Sequence, residues 1–537
     1  MRGVDILRLM LKAPEPTADE TLPSRDVLAA RLENQIQANS QLKKSYVDLQ
    51  QHADFLKDQV AWLKKHLFAR SSEKLTSDDI NVLQGSLFNE SENIADFHPT
   101  KEDSVTIPEH KRKKKGRKKI SKDLPRVDVF HDLPDEEKIC SKDGTPLTRI
   151  GEITSEQLDY VPAKLRVLRH VRYKYACKCC GSNLKTADKP ATLLPKSMAS
   201  PSLLAHITTA KYVDGLPLHR QEKQFSRLGI ELGRSTMAQW MVKIGGEAVQ
   251  PLINILNDEC LNSPLMHLDE TPLQVLKSHK SPSSDHWMWV RASAASEKNV
   301  ILFDYDPSRS KAVPNRLLEG YEGIIVTDGY PAYGSVAEAK GLIHAGCMAH
   351  LRRYLNDAKK ISKHCKSHAQ EALNFIRLLY QIERKIKNLD PPPDGSEILR
   401  IREEMSRPII EQFRSWLEDM QPKVIPKSPL GKAVQYGLNQ WPKLVRFLDH
   451  AVIPLDNNRA ENCIRPFVIG RKNFLFADTQ AGAKASANLY TLVECAKANG
   501  IEPHAYLASV YEKLPLATCL EDYEALLPWN VKLTEHR

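Results

Sequence analysis

The sequence predicts a multidomain α+β protein, and three observations point there. An apolar heptad marks a long helix near the N-terminus, short β-branched and apolar runs cluster between Leu265 and Cys347, and helical periodicity occupies most of the remainder. The 537 residues suffice for roughly three or four domains of ordinary size. The net charge of +10 is modest, but eight of the nine residues from Lys111 to Lys119 are basic, and such concentrated charge points to nucleic acid. Arg2, Asp5, Arg8 and Lys12 interrupt the first apolar residues, and no apolar run reaches about eighteen residues, so neither export nor membrane spanning is expected. The cysteine pattern fits metal ligation or free thiols, and hence the cytoplasm, better than disulfides.

Residues 25–75 are expected to form a coiled-coil helix. Leu42, Leu49, Leu56 and Leu63 recur every seven residues, Asn39, Tyr46, Ala53, Val60 and Leu67 fill the companion positions, and no Gly or Pro interrupts the stretch. An amphipathic helix packed on its own domain would share this spacing, but about four heptads favour self-association into a homo-oligomer, with Asn39 fixing register. Residues 76–125 are too polar and too repulsive to bury a core and read as a flexible linker ending in a basic arm. Its Lys111, Arg112, Lys113, Lys114, Lys115, Arg117, Lys118 and Lys119 would contact phosphates without reading sequence.

Residues 126–185 read as a small zinc-finger-like domain. Cys177 and Cys180 have the spacing by which two thiolates share one zinc, and Cys140 supplies a third donor. The position where a matching knuckle would carry a fourth cysteine is Asp143, a harder ligand that weakens the expected zinc site; Cys179 could replace it only with distorted geometry. Incidental cysteines in a small β-rich domain are the bland alternative.

Residues 195–255 are helical, with a break around Gly229 and Gly233, and read as a helix-turn-helix domain. Ser235 or Thr236 is expected to cap the second helix, whose Met237, Trp240, Met241 and Ile244 face inward. Arg234, Ser235, Thr236 and Gln239 would then meet DNA bases at its start.

From Leu265 three successive strand-like runs, a short helix and two further strands follow, the order of an RNase H-like α/β core spanning residues 262–350 and 455–490. Asp269 lies on the first strand and Asp328 at the end of the fourth, its expected neighbour. Glu461 opens a helix for which Asp456 is the expected cap. Three carboxylates on three elements can hold two divalent cations, Mg2+ or Mn2+, and oxygen-only ligands suit magnesium. Strand alternation turns Glu270 to the other face. Residues 351–454 form an all-α insertion in this reading, and residues 491–537 a C-terminal helical region. Around Glu461, Asn458, Arg459, Arg465, Arg471 and Lys472 offer donors to DNA phosphate. His344, Cys347 and His350 have spacing that admits a metal site, but a DNA-positioning role for His350, Arg352 and Arg353 is preferred.

At these residues the chain resembles transposases of the insertion-sequence-66 family over nearly its whole length. The shared blocks include "LFARSSEKL", "LPLHRQEKQFSRLGIELGRSTMAQW", "LDETPLQV", "VTDGYPAY", "CMAHLRR", "DNNRAENCIRPFVIGRKNFLF" and "IEPHAYLASVYEKL". The resemblance implies a DDE transposase of a bacterial insertion sequence, working on the nucleoid. Asp269, Asp328 and Glu461 would be its metal-binding catalytic acids, a zinc-binding domain would surround Cys140 to Cys180, and the same mobile element would encode accessory proteins. Two departures stand out: Asp143 replaces a cysteine, and Asn462 follows the glutamate where the family usually has arginine. The expected reaction is Mg-dependent 3′-end cleavage of element-end DNA and strand transfer into target DNA. The alternatives are a catalytically inactive relic that binds DNA as a repressor, and a metal-dependent nuclease without strand transfer.

Overall fold

The computed structural model describes residues 165–175, 185–281, 284–361 and 367–533, together with helical positions between 32 and 60. The chain divides into two compact units, Met1–Ala69 with Arg172–Arg537, and Arg70–Val171. Of the second, only residues 165–171 are described, as exposed irregular backbone. The basic arm from Lys111 to Lys119 and the ligand set Cys140, Asp143, Cys177 and Cys180 lie outside the described residues.

Residues 32–43 are helical, as are the described positions from 45 to 60. Leu42, Tyr46, Leu49, Leu56 and Val60 are all exposed there, so the described part of the heptad stripe is uncovered. Leu63 and Leu67 lie outside the described residues. A two-stranded antiparallel ribbon, β1 (Lys174–Tyr175) and β2 (Lys185–Thr186), precedes the helices.

Helices α1 (Pro201–Tyr212), α2 (Leu218–Arg227) and α3 (Arg234–Lys243) follow, then a π-helical turn at Ile244–Ala248 and α4 (Gln250–Leu261). Ser200 caps α1, accepting from the Leu203 amide, and Pro201 occupies the first helical position, where no amide is missed. The expected cap of α3 is corrected. Gly233 takes that position without a side-chain cap, and Ser235 and Thr236 lie within the first turn. The Arg234 amide is satisfied from elsewhere, donating to Glu222 Oε1 on α2 at 3.0 Å.

The sheet is mixed. β3 (Leu265–Lys277), β4 (Asp285–Ala294) and β5 (Ile301–Asp306) run antiparallel through consecutive hairpins, and β6 (Ile324–Val326) and β7 (Ile343–Ala345) add in parallel on the opposite side, giving the order β5-β4-β3-β6-β7. The parallel additions require crossovers, supplied by α5 (Ala312–Leu317) and α6 (Pro331–Lys340). The 13-residue β3 also pairs near its far end with β8 (Ala477–Thr479), so one edge of β3 meets β6 at residues 265–267 and β8 at 275–277.

Between β7 and residue 458 the described chain is helical and irregular: α7 (Met348–Ile361), α8 (His368–Lys387), α9 (Gly395–Ile401), α10 (Arg407–Met420) and α11 (Pro429–Leu444). Of these, α7, α8, α10 and α11 share a core with Leu265, Ile324, Val326 and Ala345 of the sheet. The chain then returns through α12 (Asn458–Phe474), β8, α13 (Gln480–Ala498), α14 (Pro503–Lys513) and α15 (Leu520–Glu524).

A second core runs from Leu194 to Leu527, joining α1 to α4, the sheet and the C-terminal helices, so packing crosses the expected segment limits near 255 and 490. Its centre is α13, buried from Leu489 to Ala496. This helix covers the outer edge of β5. Thr491 Oγ1 accepts from the Phe303 amide at 2.9 Å, and Cys495 Sγ accepts from the Ile301 amide at 3.3 Å, so donors on an edge strand are met by side chains. On its other side α13 meets Gly245, where a β-carbon would collide with the Ala485 backbone, while Gly246 has open space. Gly245→Ala is therefore expected to destabilise the fold by about 1–3 kcal/mol, seen as a lowered urea midpoint, and Gly246→Ala to leave the midpoint nearly unchanged.

Candidate active site

The sheet register brings two of the three expected carboxylates level. β3 and β6 are parallel with His267 opposite Val326, and two residues further along each chain stand Asp269 and Asp328. Asp328 lies just beyond β6, where its Oδ1 accepts from the Tyr330 amide at 2.9 Å and its backbone oxygen accepts from Thr327 Oγ1 at 2.8 Å. These bonds fix the turn that leads into α6. The next residue, Gly329, is needed because a β-carbon there would run into the Tyr436 ring of α11, so the helical block reaches the edge of this site.

Glu461 comes from the first turn of α12. Its Oε2 accepts from Arg353 at 3.3 Å and its Oε1 lies 3.6 Å from His350 Nδ1, both on α7. The Oε1 atom is buried without a hydrogen-bond partner. Among the described residues, the set of three potential ligand side chains whose donor atoms lie within 4.8 Å of one another is Cys347, His350 and Glu461, not the three carboxylates. His344, the other histidine of the expected cluster, is instead held by Thr327 Oγ1 at 2.8 Å. Burial lowers its pKa to about 3, with Lys443 adding to the effect.

The electrostatics of Asp269 tie the three acids together. Its carboxyl is pushed well above the usual carboxylate range, first by burial and then by the negative charges of Glu270, Glu461 and Asp328. An anionic pocket with oxygen donors and this much mutual repulsion fits divalent cations, and the donor set suits magnesium. Glu270 projects into a separate set of bonds. Arg309 donates to its Oε1 from two nitrogens, at 2.6 and 3.0 Å, and Tyr333 hydroxyl donates to its Oε2, so it anchors β3 to α6.

The sequence matches the family description "Transposase IS66 family" over residues 196–485. The chain belongs to the IS66 family of transposases. Three shorter matches accompany it: "Transposase C of IS166 homeodomain" at 55–129, "zinc-finger binding domain of transposase IS66" at 137–181 and "IS66 C-terminal element" at 491–529. Two similar proteins are from Sinorhizobium fredii. The protein named "Uncharacterized protein y4jD" is 33% identical over 77% of this chain and 81% of its own length, and "Uncharacterized protein y4qI" is 32% identical over 79% and 78%.

In this IS66-family chain the residue that seats α12 is one the sequence did not single out. Asn457 is fully buried and precedes the helix. Its Nδ2 donates to the Leu268 carbonyl at 2.7 Å, its Oδ1 faces His267 Nδ1 at 2.8 Å, and its amide donates to Cys347 Sγ at 3.1 Å. Since the side-chain nitrogen is committed to Leu268, Oδ1 is the acceptor and His267 Nδ1 carries the proton. Burial keeps that imidazole neutral, with its pKa lowered to about 4. The expected cap is corrected: Asn457 holds the cap position without a side-chain cap bond, and Asp456, one residue earlier, accepts from the Asn458 amide and side chain and from the Tyr380 hydroxyl.

Most of the expected phosphate donors already have partners. Arg459 donates to Asn299, Arg471 donates to Thr271 Oγ1 while staying half-buried, and Arg352 lies over the Tyr380 ring. Arg465 is half-buried and Lys472 exposed on α12. His350 and Arg353 turn toward Glu461. On α3, Arg234, Ser235, Thr236 and Gln239 are exposed, while Met237, Trp240 and Met241 are buried.

A carboxyl whose folded pKa is raised contributes stability below its unfolded value, near 4, that is lost as pH rises through the folded value. Asp269 therefore weakens the cation-free fold at neutral and alkaline pH. Asp269→Asn is expected to raise stability by about 0.5–2 kcal/mol at pH 8 without divalent cations. Mg2+ should raise the melting temperature of the unmodified protein and lose most of that effect in the variant. Thermal denaturation with and without Mg2+, at pH 8 and pH 5, checks both.

Proposed function

We propose that the chain is a DDE transposase that binds element-end DNA, exposes 3′-hydroxyl ends and joins them to target DNA, with Asp269, Asp328 and Glu461 as its catalytic acids. The observation that carries this reading is the placement of Asp269 on β3 and Asp328 just past the neighbouring parallel strand β6, with the Asp269 carboxyl raised by burial and by the charges of Glu270, Glu461 and Asp328. The strand order β5-β4-β3-β6-β7, with the helical block inserted before α12, supports an RNase H-like core.

Two magnesium or manganese ions held by these carboxylates would activate water, or later a DNA 3′-hydroxyl, and stabilise charge on the reacting phosphate. Asp269 is fixed by its place in β3, and Asp328 by the turn bonds of Thr327 and Tyr330 just beyond β6. Arg353 and His350 orient Glu461, and in doing so take on positioning rather than direct contact with phosphate. Arg465, Arg471, Lys472 and Asn458 border α12 and would steer the DNA backbone past the acids.

The exposed residues of α3 would meet bases as the second helix of a helix-turn-helix, with the arm from Lys111 to Lys119 adding sequence-independent affinity. The uncovered heptad stripe from Leu42 to Val60 supports pairing of two copies, which would bring two element ends together. Zinc at Cys140, Asp143, Cys177 and Cys180 and accessory proteins of the same element complete the proposal, as does a place on the bacterial nucleoid. Among the described residues, no helix is long and apolar enough to cross a membrane.

Incubation with labelled element-end DNA and Mg2+ tests the reading. Cleaved and joined products support it, cleavage alone indicates a nuclease, and binding alone indicates an inactive repressor. Asp269→Asn, Asp328→Asn and Glu461→Gln should each remove several kcal/mol of transition-state stabilisation, a loss of about a thousandfold or more in rate, with DNA binding retained in gel-shift assays. Arg234→Ala and Gln239→Ala should each weaken specific binding by about 1–3 kcal/mol. Their effect should be much smaller on unrelated DNA, as competition gel shifts would measure.

A further inference from the structure

Cys347 and His350 cluster with Glu461, and the proposed magnesium chemistry needs neither of the first two. Hard cations have little use for a thiol or an imidazole, whereas both are favoured ligands of zinc. The ligand atoms lie within 4.8 Å of one another. His350 Nδ1 and Glu461 Oε1 are 3.6 Å apart, close to the separation of about 3.4 Å that bonds of about 2.0–2.1 Å impose on two ligands of a tetrahedral ion.

The glutamate and cysteine donors are also aimed or supported. Arg353 holds only Oε2 of Glu461, and the buried Oε1 has no hydrogen-bond partner. Cys347 is buried just before α7, and its sulfur receives the amides of both Asn457 and His350. Two amides aimed at one sulfur suit a thiolate more than a thiol, and such donors commonly surround metal-bound cysteine. Without a cation, burial and the nearby Glu461 charge push the thiol pKa up, so the group is held neutral.

We propose that Cys347, His350 and Glu461 form a binding site for a thiophilic divalent cation such as Zn2+, with one coordination position left for water, and that filling it withdraws Glu461 from the magnesium site. Binding forms a sulfur–metal bond and releases the thiol proton to water. Zinc is then an inhibitor of the magnesium-dependent reaction. This second half rests on the proposed role of Glu461 in cleavage; the first does not.

Co2+ titration of the full-length protein, read by the sulfur-to-cobalt charge-transfer absorption, tests the site directly. Wild type and Cys519→Ser, which alters an exposed cysteine elsewhere, should both bind one equivalent more than Cys347→Ser. His350→Gln keeps the thiol and should bind that equivalent about a hundredfold more weakly. Cobalt absorption that is the same in all four proteins would overturn the site, since the signal would then come from other cysteines. In cleavage assays at fixed Mg2+, added Zn2+ should slow wild type at least tenfold relative to its own zinc-free rate and slow Cys347→Ser much less. Equal inhibition of both would overturn the coupling. If no version cuts element-end DNA, the transposase reading of the carboxylates fails while the cobalt result still decides the site.

Discussion

The seating of α12, and with it Glu461, depends on the buried Asn457. It joins three parts of the chain that are far apart in sequence: β3 through Leu268 and His267, the turn before α7 through Cys347, and the start of α12 through its own position. A buried amide with all these bonds made contributes only about 1 kcal/mol per bond, but leaving one unmade costs about 1–3 kcal/mol. That asymmetry makes the arrangement close to all-or-none. It also sets the tautomer of His267 two residues before Asp269, while burial keeps the imidazole neutral beside a pocket whose acids already repel one another.

The carboxylates themselves are held against their electrostatic preference. Asp269 lies on β3 and Asp328 just beyond the neighbouring β6, and the Asp269 carboxyl rises through burial first and then the charges of Glu270, Glu461 and Asp328. Glu461, by contrast, has Arg353 and His350 as neighbours. The site is therefore split into a half whose acids repel one another and a half whose acid is already steadied by α7. In this sense α7 and the helical block behind it contribute to the site and do not merely interrupt the sheet.

The sheet strands were legible because each is a short β-branched or apolar run bounded by polar turns, and the hairpin order followed from their spacing. β8 was not. Ala477–Thr479 has no strand-like composition and pairs through its backbone alone with the far end of β3. The depth of α13 was hidden because an alanine-rich helix buried on most sides shows little periodic contrast. Glu222 as the partner of the Arg234 amide could not be foreseen, since the contact spans two helices. Asn457 and Asn458 are the same residue type in sequence, and only burial separates the clamp from its neighbour, which bonds back to Asp456. Asp269, Asp328 and Glu461 could be singled out in the sequence as candidates. That Glu461 would pair with α7 was not legible.

The way α12 is fastened has a metric consequence. Its leading end is pinned at Leu268 and its trailing end passes directly into β8, which joins β3 from Val275 onward. The 17-residue helix measures about 25 Å end to end, and the stretch of β3 between those two points about 23 Å. Strut and rail thus have matching lengths. Adding or deleting one residue inside the strut would swing Glu461 by about 100° around the helix axis or detach one fastening, whereas the loops joining α7 to α11 can lengthen without disturbing either anchor.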